Sequence, residues 1–247
     1  MAEILGIDVG GSGIKGGVID TALGEFVQDR IKIDTPNPSK PDAVARVIKQ
    51  MVDHFHWQGK IGIGFPAVIK NGVCYTAANV HKSWIGANIE EIIHNATGCP
   101  VKALNDADAA GLAEMKFGAG KGIDKGVVLI LTLGTGIGSA IFVNGQLLPN
   151  AELGHLEMDG KDAEKVAAAN VKETKKLSWK DWGKRLKDYL KTVENLIYPD
   201  LIILGGGVSS RYEKYQQFLN IRTRLTPAEL QNNAGIIGAA LAAAEEE

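Results

Sequence analysis

A hydrophobic strand that runs into a glycine-and-hydroxyl turn and returns at once as a second strand occurs twice in this chain. That repetition constrains the fold more than any other feature. The first copy carries Asp8-Val9-Gly10-Gly11-Ser12-Gly13 between the strands Glu3–Val9 and Ile14–Asp20. The second spans Val127–Val143, and at an offset of 124 its Thr132-Leu133-Gly134-Thr135-Gly136-Ile137 faces the first. Chain reversal within so few residues draws on glycine, which tolerates backbone angles that other residues avoid. An internal duplication follows, with two lobes, each opened by such a hairpin, facing one another across a cleft. The boundary is expected near Lys116–Lys125, giving an N-terminal lobe over residues 1–120 and a C-terminal lobe over 121–247.

The remaining pattern alternates strand and helix, which makes the chain α/β. Glu25–Ile33 reads as a third strand. Val44, Val47, Ile48, Met51, Val52 and Phe55 keep the spacing of a buried stripe on a helix over Asp42–Trp57. Ile61–Phe65 is a short strand, and Asn88 with Glu91 forms a capping pair for a helix running through Asn95. Val101–Leu104 is a strand and Asp106–Phe117 a helix. After Gly160 come two helical stretches, the strand Leu201–Leu204, a Gly205-Gly206-Gly207 turn and a closing Ala-rich helix from Gly235.

Composition removes several classes. Thirty glycines among 247 residues exceed the usual share of about 7%, and they cluster at the turns instead of spreading as low complexity. With 45% hydrophobic residues and a net charge of −2, neither a disordered chain nor a dedicated nucleic-acid binder is expected. Cys74 and Cys99 are the only cysteines, which excludes a disulfide framework and any multi-cysteine zinc site, and points to a reduced, cytoplasmic compartment. With no basic stretch followed by an apolar one at its start, the chain is not expected to carry a secretion signal. Gly126–Val143 runs 18 residues without a charge, the nominal length of a membrane span. Its Gly134-Thr135-Gly136 centre makes it a buried hairpin instead, so no membrane partner is expected.

Gly11-Ser12-Gly13-Ile14-Lys15-Gly16 satisfies the dinucleotide spacing G-x-G-x-x-G, but that fingerprint must open a helix. Here a β-branched, alternating strand follows, and no Walker sequence is present. What remains is a cradle of glycine amides with a nearby hydroxyl, which suits a phosphate. Asp8, at the end of its strand, faces that cradle and could hold Mg²⁺ directly or through water.

Asp8-Val-Gly-Gly-Ser-Gly-Ile-Lys15, Leu133-Gly-Thr-Gly-Ile-Gly138 and Leu204-Gly-Gly-Gly-Val-Ser209 resemble the phosphate-1, phosphate-2 and adenosine motifs of actin-like sugar kinases. Gly64-Phe-Pro-Ala67, Asn105-Asp106-Ala107 and Glu152-Leu-Gly-His155 are similar to motifs of the ROK family (repressor, open reading frame, kinase). The resemblance runs from residue 4 to Ile237-Gly-Ala-Ala-Leu241, with six motifs in order. It implies an actin-like, ribonuclease-H-like fold that transfers a phosphoryl group to the 6-hydroxyl of glucose, with Mg²⁺ and a donor that is polyphosphate, ATP or both. Glu152-Leu-Gly-His-Leu-Glu157 and Ser178-Trp-Lys-Asp-Trp-Gly-Lys-Arg185 look most like the polyphosphate-using branch.

The resemblance places the catalytic base at Asp106. Independently, its position at the C-terminal end of an apolar strand suits a catalytic carboxylate, although an Asp there also caps helices. Asn79, Asn105, Asp106, Glu152, His155 and Glu164 are the implied sugar contacts. A hexose offers many hydroxyls, and amides and carboxylates pair them. His155 could equally be a hydrogen-bonded histidine packed at the lobe junction. Asp8, Gly10, Gly11, Ser12, Gly13 and Lys15, with Thr132, Gly134, Thr135 and Gly136, form the phosphate loops, and Gly205, Gly206 and Gly207 the adenosine-type turn. The cysteine-rich zinc segment of most ROK members is absent, since Met158-Asp159-Gly160 passes straight to Asp162-Ala163-Glu164. Without thiolate partners His155 cannot complete a tetrahedral site, so zinc is not expected.

Lys161–Lys191 holds ten Lys/Arg against five Asp/Glu, a local +5 that leaves −7 for the rest of the chain. A basic block on an acidic protein attracts a long polyanion, although a solvated helix face would show the same charges. Lys82, Lys116, Lys121, Lys180, Lys184 and Arg185 are the candidate path, while Trp179 and Trp182 read as core. Three rivals stand beside this reading: an ATP-dependent ROK kinase for another hexose or amino sugar, a non-catalytic sugar-sensing ROK protein, and an actin-like filament protein. The sensor would need a DNA-binding domain ahead of Glu3, and the filament protein would not need the Asn105-Asp106, Glu152 and His155 set. A homodimer is expected.

Overall fold

The structure, a computed structural model, describes residues 3–244. The chain divides into two compact units. Unit 1 takes the residues up to Ala113 together with those from Asn233, and unit 2 is Glu114–Asn232.

In unit 1, β1 (Glu3–Val9) and β2 (Ile14–Asp20) pair antiparallel along their whole length. The expected third strand is split into β3 (Glu25–Phe26) and β4 (Ile31–Ile33), which pair with opposite ends of β2. Next come α1 (Pro41–His54), β5 (Ile61–Phe65), the small hairpin of β6 (Ile69–Lys70) and β7 (Val73–Cys74), α2 (Ile89–Thr97), β8 (Val101–Asn105) and α3 (Asp106–Phe117), whose last turn passes into unit 2. β5 lies parallel between β1 and β8, giving the order β3-β2-β1-β5-β8. All of β5 is buried, as expected of a parallel strand covered on both faces. α1 buries the stripe read from the sequence, and the Asn88 side chain accepts from the Glu91 N–H at 3.2 Å to start α2.

Unit 2 contains β9 (Val127–Leu133), β10 (Ile137–Val143), β11 (Gln146–Leu148), the hairpin of β12 (Glu157–Met158) and β13 (Lys161–Asp162), then α4 (Glu164–Ala167), α5 (Ala169–Thr174), α6 (Trp179–Ile197), β14 (Leu201–Gly205) and β15 (Arg224–Pro227). Its sheet order is β11-β10-β9-β14-β15, again an antiparallel hairpin followed by two parallel strands. The duplication is therefore visible as topology. Its register differs from the sequence reading: the first strands match at an offset of 124, the second strands at 123. Val9 pairs with Ile14 around four residues, but Leu133 pairs with Ile137 around three, so the second turn is one residue shorter. Trp182 is a core residue as read, fully buried with its indole N–H donating to the Ala167 and Ala168 carbonyls, whereas Trp179 is half-buried and packs against that core from its edge.

The closing helix α7 (Ala234–Ala244) corrects the expected division. It was assigned to a lobe over 121–247, yet it belongs to unit 1, where it packs on β1 and β5. The reason is local. Gly62 and Gly6 present bare backbone to the helix, and a Cβ on Gly62 would stand 1.8 Å from the Ala239 carbonyl oxygen. A helix of Ala and Gly can press that close only where the strand also lacks side chains. Where the chain crosses between units, the buried Glu114 carboxylate accepts from the backbone N–H groups of Ala119 (3.0 Å), Glu229 (3.2 Å) and Leu230 (2.8 Å). Cys74 and Cys99 are free and buried in the unit 1 core. Among the described residues no helix is long and apolar enough to cross a membrane.

Candidate active site

At one end of the unit 1 sheet, the parallel strands set Asp8, Gly64 and Leu104 in one register row. The next residue of β8 is Asn105, and Asp106 opens α3. Asn105 is 6% exposed. Its Oδ1 accepts from the N–H groups of Ala107 (2.8 Å) and Asp108 (3.2 Å), and its Nδ2 donates to the Ala67 carbonyl (3.2 Å). Capping, one of two roles open to Asp106, thus falls to Asn105, whose Oδ1 reaches two amides of the first turn. Asp106 is half-buried within that turn, with Oδ1 2.9 Å from its neighbour's N–H.

Asp8 faces Lys15 across the hairpin, with Nζ 3.1 Å from Oδ2. The turn between them closes with the Gly10 N–H donating to the Gly13 carbonyl (3.1 Å), and the Thr35 hydroxyl donates to the Gly10 carbonyl. Gly11 and Ser12 are exposed at its tip. Lys32 is an addition that the sequence did not mark. It pairs with Lys15 in the β4–β2 register, and its Cε lies 2.1 Å from where a Gly13 Cβ would stand. Two lysines therefore border this turn. Asn79 sits exposed on the loop after β7, and Lys82 on the short helical turn that follows.

In unit 2 the second turn is closed by the Gly134 N–H donating to the Gly136 carbonyl (3.0 Å), with Gly134 and Thr135 exposed. Thr132 is in register with Gly205, and Gly206 turns back against the Leu133 carbonyl with φ of 80°, leaving Gly207 exposed. The segment carrying Glu152 and His155 is fastened to the same hairpin. The Ser139 hydroxyl donates to the Ala151 carbonyl and accepts from the Leu153 N–H (2.9 Å). Gly154 approaches so closely that a Cβ would stand 2.2 Å from the Ile137 carbonyl oxygen.

The β12–β13 hairpin then turns through Asp159 and Gly160, with φ of 51° and 73°, the two-residue reversal typical of tight hairpins. It returns Asp162, which sequence reasoning missed, to His155. His155 Nδ1 lies 3.7 Å from Asp162 Oδ2 and Nε2 lies 3.9 Å from Glu152 Oε2. Glu164 opens α4 with its carboxylate 2.3 Å from a Cβ position on Gly136, directly at the second glycine turn. His155, Asp162 and Glu164 bring ligand atoms within 4.8 Å of one another. With its side chain 46% exposed, His155 is not a packed core histidine. Burial holds the Glu152 carboxyl above the usual range, against the pull of His155 and with the push of Glu164. A hydrogen bond from Lys165 holds Asp162 below it. Lys116 and Lys121 are exposed around the end of α3, and Lys180 and Lys184 are exposed on α6, where Arg185 is half-buried.

Paired hairpin sheets with glycine turns, and an aspartate opening the helix after β8, are the marks of an actin-like ATPase fold of the sugar-kinase class. The family model described as the ROK family matches residues 4–168, and the chain belongs to that family. It is 52% identical over 238 residues to polyphosphate glucokinase of Mycobacterium tuberculosis (strain H37Rv), covering 96% of this chain and 89% of that protein. The crystal structure of inorganic polyphosphate/ATP-glucomannokinase from Arthrobacter sp. strain KM matches with a TM-score of 0.96 and 45% identity, and each chain covers 100% of the other. The ROK glucokinase of Streptomyces griseus, solved with glucose and AMPPNP, shares the fold with a TM-score of 0.83 at 23% identity, over 99% of this chain and 100% of that one.

Proposed function

We propose that this protein transfers a phosphoryl group from inorganic polyphosphate or ATP to the 6-hydroxyl of glucose, giving glucose 6-phosphate. The observation that carries the reading is Asp106, set by the Asn105 cap at the strand ends where Asp8 and Lys15 border a glycine turn. The similarity to polyphosphate glucokinase and to polyphosphate/ATP-glucomannokinase supports it. Asp106 accepts the hydroxyl proton as the sugar oxygen forms its bond to phosphorus. The bond from phosphorus to the donor's bridging oxygen breaks, and the shortened donor leaves with that electron pair. Asn79, Asn105, Glu152, His155 and Glu164 hold the sugar hydroxyls. The two glycine turns and Lys15 hold the donor phosphates, and Gly205–Gly207 receive the nucleoside when the donor is ATP.

A kinase of this family works with a divalent cation, which neutralises developing charge on the transferred group. Asp8 offers the hard oxygen ligand that Mg²⁺ requires. Because Lys15 already engages Oδ2, the ion would use the other oxygen or an intervening water. Structural zinc is not expected, since both cysteines are buried in the unit 1 core. Metal analysis of the purified protein should find no tightly held zinc, and one zinc per chain lost with folding on chelation would contradict this. The free cysteines support a cytoplasmic location, and exposed Val143 and Leu148 on the β10–β11 edge support a homodimer.

One coupled assay for glucose 6-phosphate, run with ATP and separately with polyphosphate, tests the reading. Product from neither donor overturns it, and product from ATP alone leaves the ATP-dependent kinase. The raised Glu152 pKa adds a pH signature. As pH falls, this carboxylate takes up its proton before an ordinary glutamate of pKa about 4.3 does, and so stops accepting from a sugar hydroxyl. Glucose KM should therefore begin to rise at a higher pH than protonation of an ordinary glutamate would give, and Glu152→Gln should flatten that rise while raising KM at neutrality.

A further inference from the structure

Four lysines of α6 fall on one line. Lys180, Lys184, Lys187 and Lys191 are spaced four, three and four residues apart, which keeps them within a narrow arc of a helix with 3.6 residues per turn. The stripe is about 16 Å long, with neighbours roughly 5–6 Å apart. Asp181 and Asp188 flank the row on one side, Asp188 four residues from Lys184 and three from Lys191, yet among the described residues none of the four lysines makes an ion pair. The basic block counted in the sequence is thus sorted by the helix into a row of lysines that make no ion pair among the described residues. Arg185 lies outside it.

Both ends of the row continue. At its start, Lys172 of α5 rides over the Trp179 ring, 4.1 Å from the centroid, next in sequence to Lys180. The same helix α5 touches the phosphate-2 turn through the Asn170 N–H, which donates to the Gly134 carbonyl at 3.0 Å. At the far end, Lys191 borders an open groove of about 430 Å³ shared with Glu194, Asn195 and Arg222. Glu194 is buried beneath Arg222, whose guanidinium engages it at 3.3 Å and remains exposed. The groove therefore shows solvent a cation.

We infer that Lys172, the α6 lysine row and Arg222 form a track on unit 2 that binds the distal part of a long inorganic polyphosphate chain, beyond the segment held at the phosphate-2 turn. This rests on the reading that polyphosphate is a donor. Evenly spaced cations that make no ion pair complement a linear, uniformly charged polymer, whereas the triphosphate of ATP is shorter than the row.

The test compares the wild-type protein with K180A/K184A/K187A/K191A and with the corresponding Arg quadruple. Binding is measured directly with fluorescently labelled long-chain polyphosphate in the absence of glucose. Turnover is measured with long-chain polyphosphate, with tripolyphosphate and with ATP. The Ala variant should bind the long chain roughly 10-fold more weakly, with a shallower salt dependence. Its KM for long-chain polyphosphate should rise, its ATP kinetics should hold, and Arg should restore binding. Equal binding by wild-type and Ala proteins, or equal losses with ATP, overturns the track. Absence of polyphosphate turnover by the wild-type protein overturns the donor reading instead, and the binding comparison still decides the track.

Discussion

Asp106→Asn should lower phosphoryl transfer to glucose by roughly 10²–10⁴-fold with either donor, while glucose binding stays close to that of the wild-type protein. The amide keeps the size and shape of the carboxylate but cannot take the hydroxyl proton. The surroundings are built so that little else changes. Asn105, not Asp106, caps α3, so the helix start survives the substitution. The loss should fall on kcat, since the interaction is made only as the proton moves. Steady-state kinetics with ATP and with polyphosphate, beside a glucose titration by intrinsic fluorescence, check this. A variant keeping more than a tenth of wild-type turnover would remove Asp106 from the proton transfer.

The largest effect on stability should come from Gly62→Ala. The added methyl would stand 1.8 Å from the Ala239 carbonyl oxygen and 2.3 Å from its carbon, both backbone atoms of α7. No rotamer relieves a Cβ, so strand or helix must move. Overpacking a core costs about 1–3 kcal/mol and sometimes more, and a clash against helix backbone belongs at the upper end. Gly11→Ala is the control, because a Cβ there meets nothing within 4 Å and stability should change by less than about 0.5 kcal/mol. Denaturant titration of both variants decides the matter. A Gly62→Ala protein as stable as the Gly11→Ala protein would mean that α7 does not press on β5 as described.

What the sequence revealed and what it hid divide along physical lines. The two glycine turns, the α1 stripe, the Asn88 cap and the strand end carrying Asn105-Asp106 are short-range patterns, and they were legible. Lys32 was not, because its place over Gly13 depends on which strand β4 pairs with, and the sequence pattern does not break Glu25–Ile33 into two strands. Asp162 was hidden for a related reason. Only the tight Asp159–Gly160 reversal returns it to His155, and in the sequence it was one charge among many. The two candidate roles of Asp106 could not be separated from spacing alone, since adjacent Asn and Asp are both good caps. α7 misled most, because a helix of Ala, Gly, Ile and Leu is apolar all round and carries no stripe to say which sheet it will cover.

That placement of α7 has a consequence for how the protein is made. On the ribosome, β1 and β5 emerge early, but the helix that covers them follows only after the whole of Glu114–Asn232 has been synthesised. The usual order, in which the N-terminal part folds first, is therefore reversed: unit 2, continuous in sequence, can complete its sheet while unit 1 still waits with a bare face. A nascent chain halted anywhere before Asn233 carries that face uncovered and offers it to chaperones or to other nascent chains. A circular permutant opened at the Asn232–Asn233 junction would place α7 ahead of β1, and unit 1 would then emerge in one stretch.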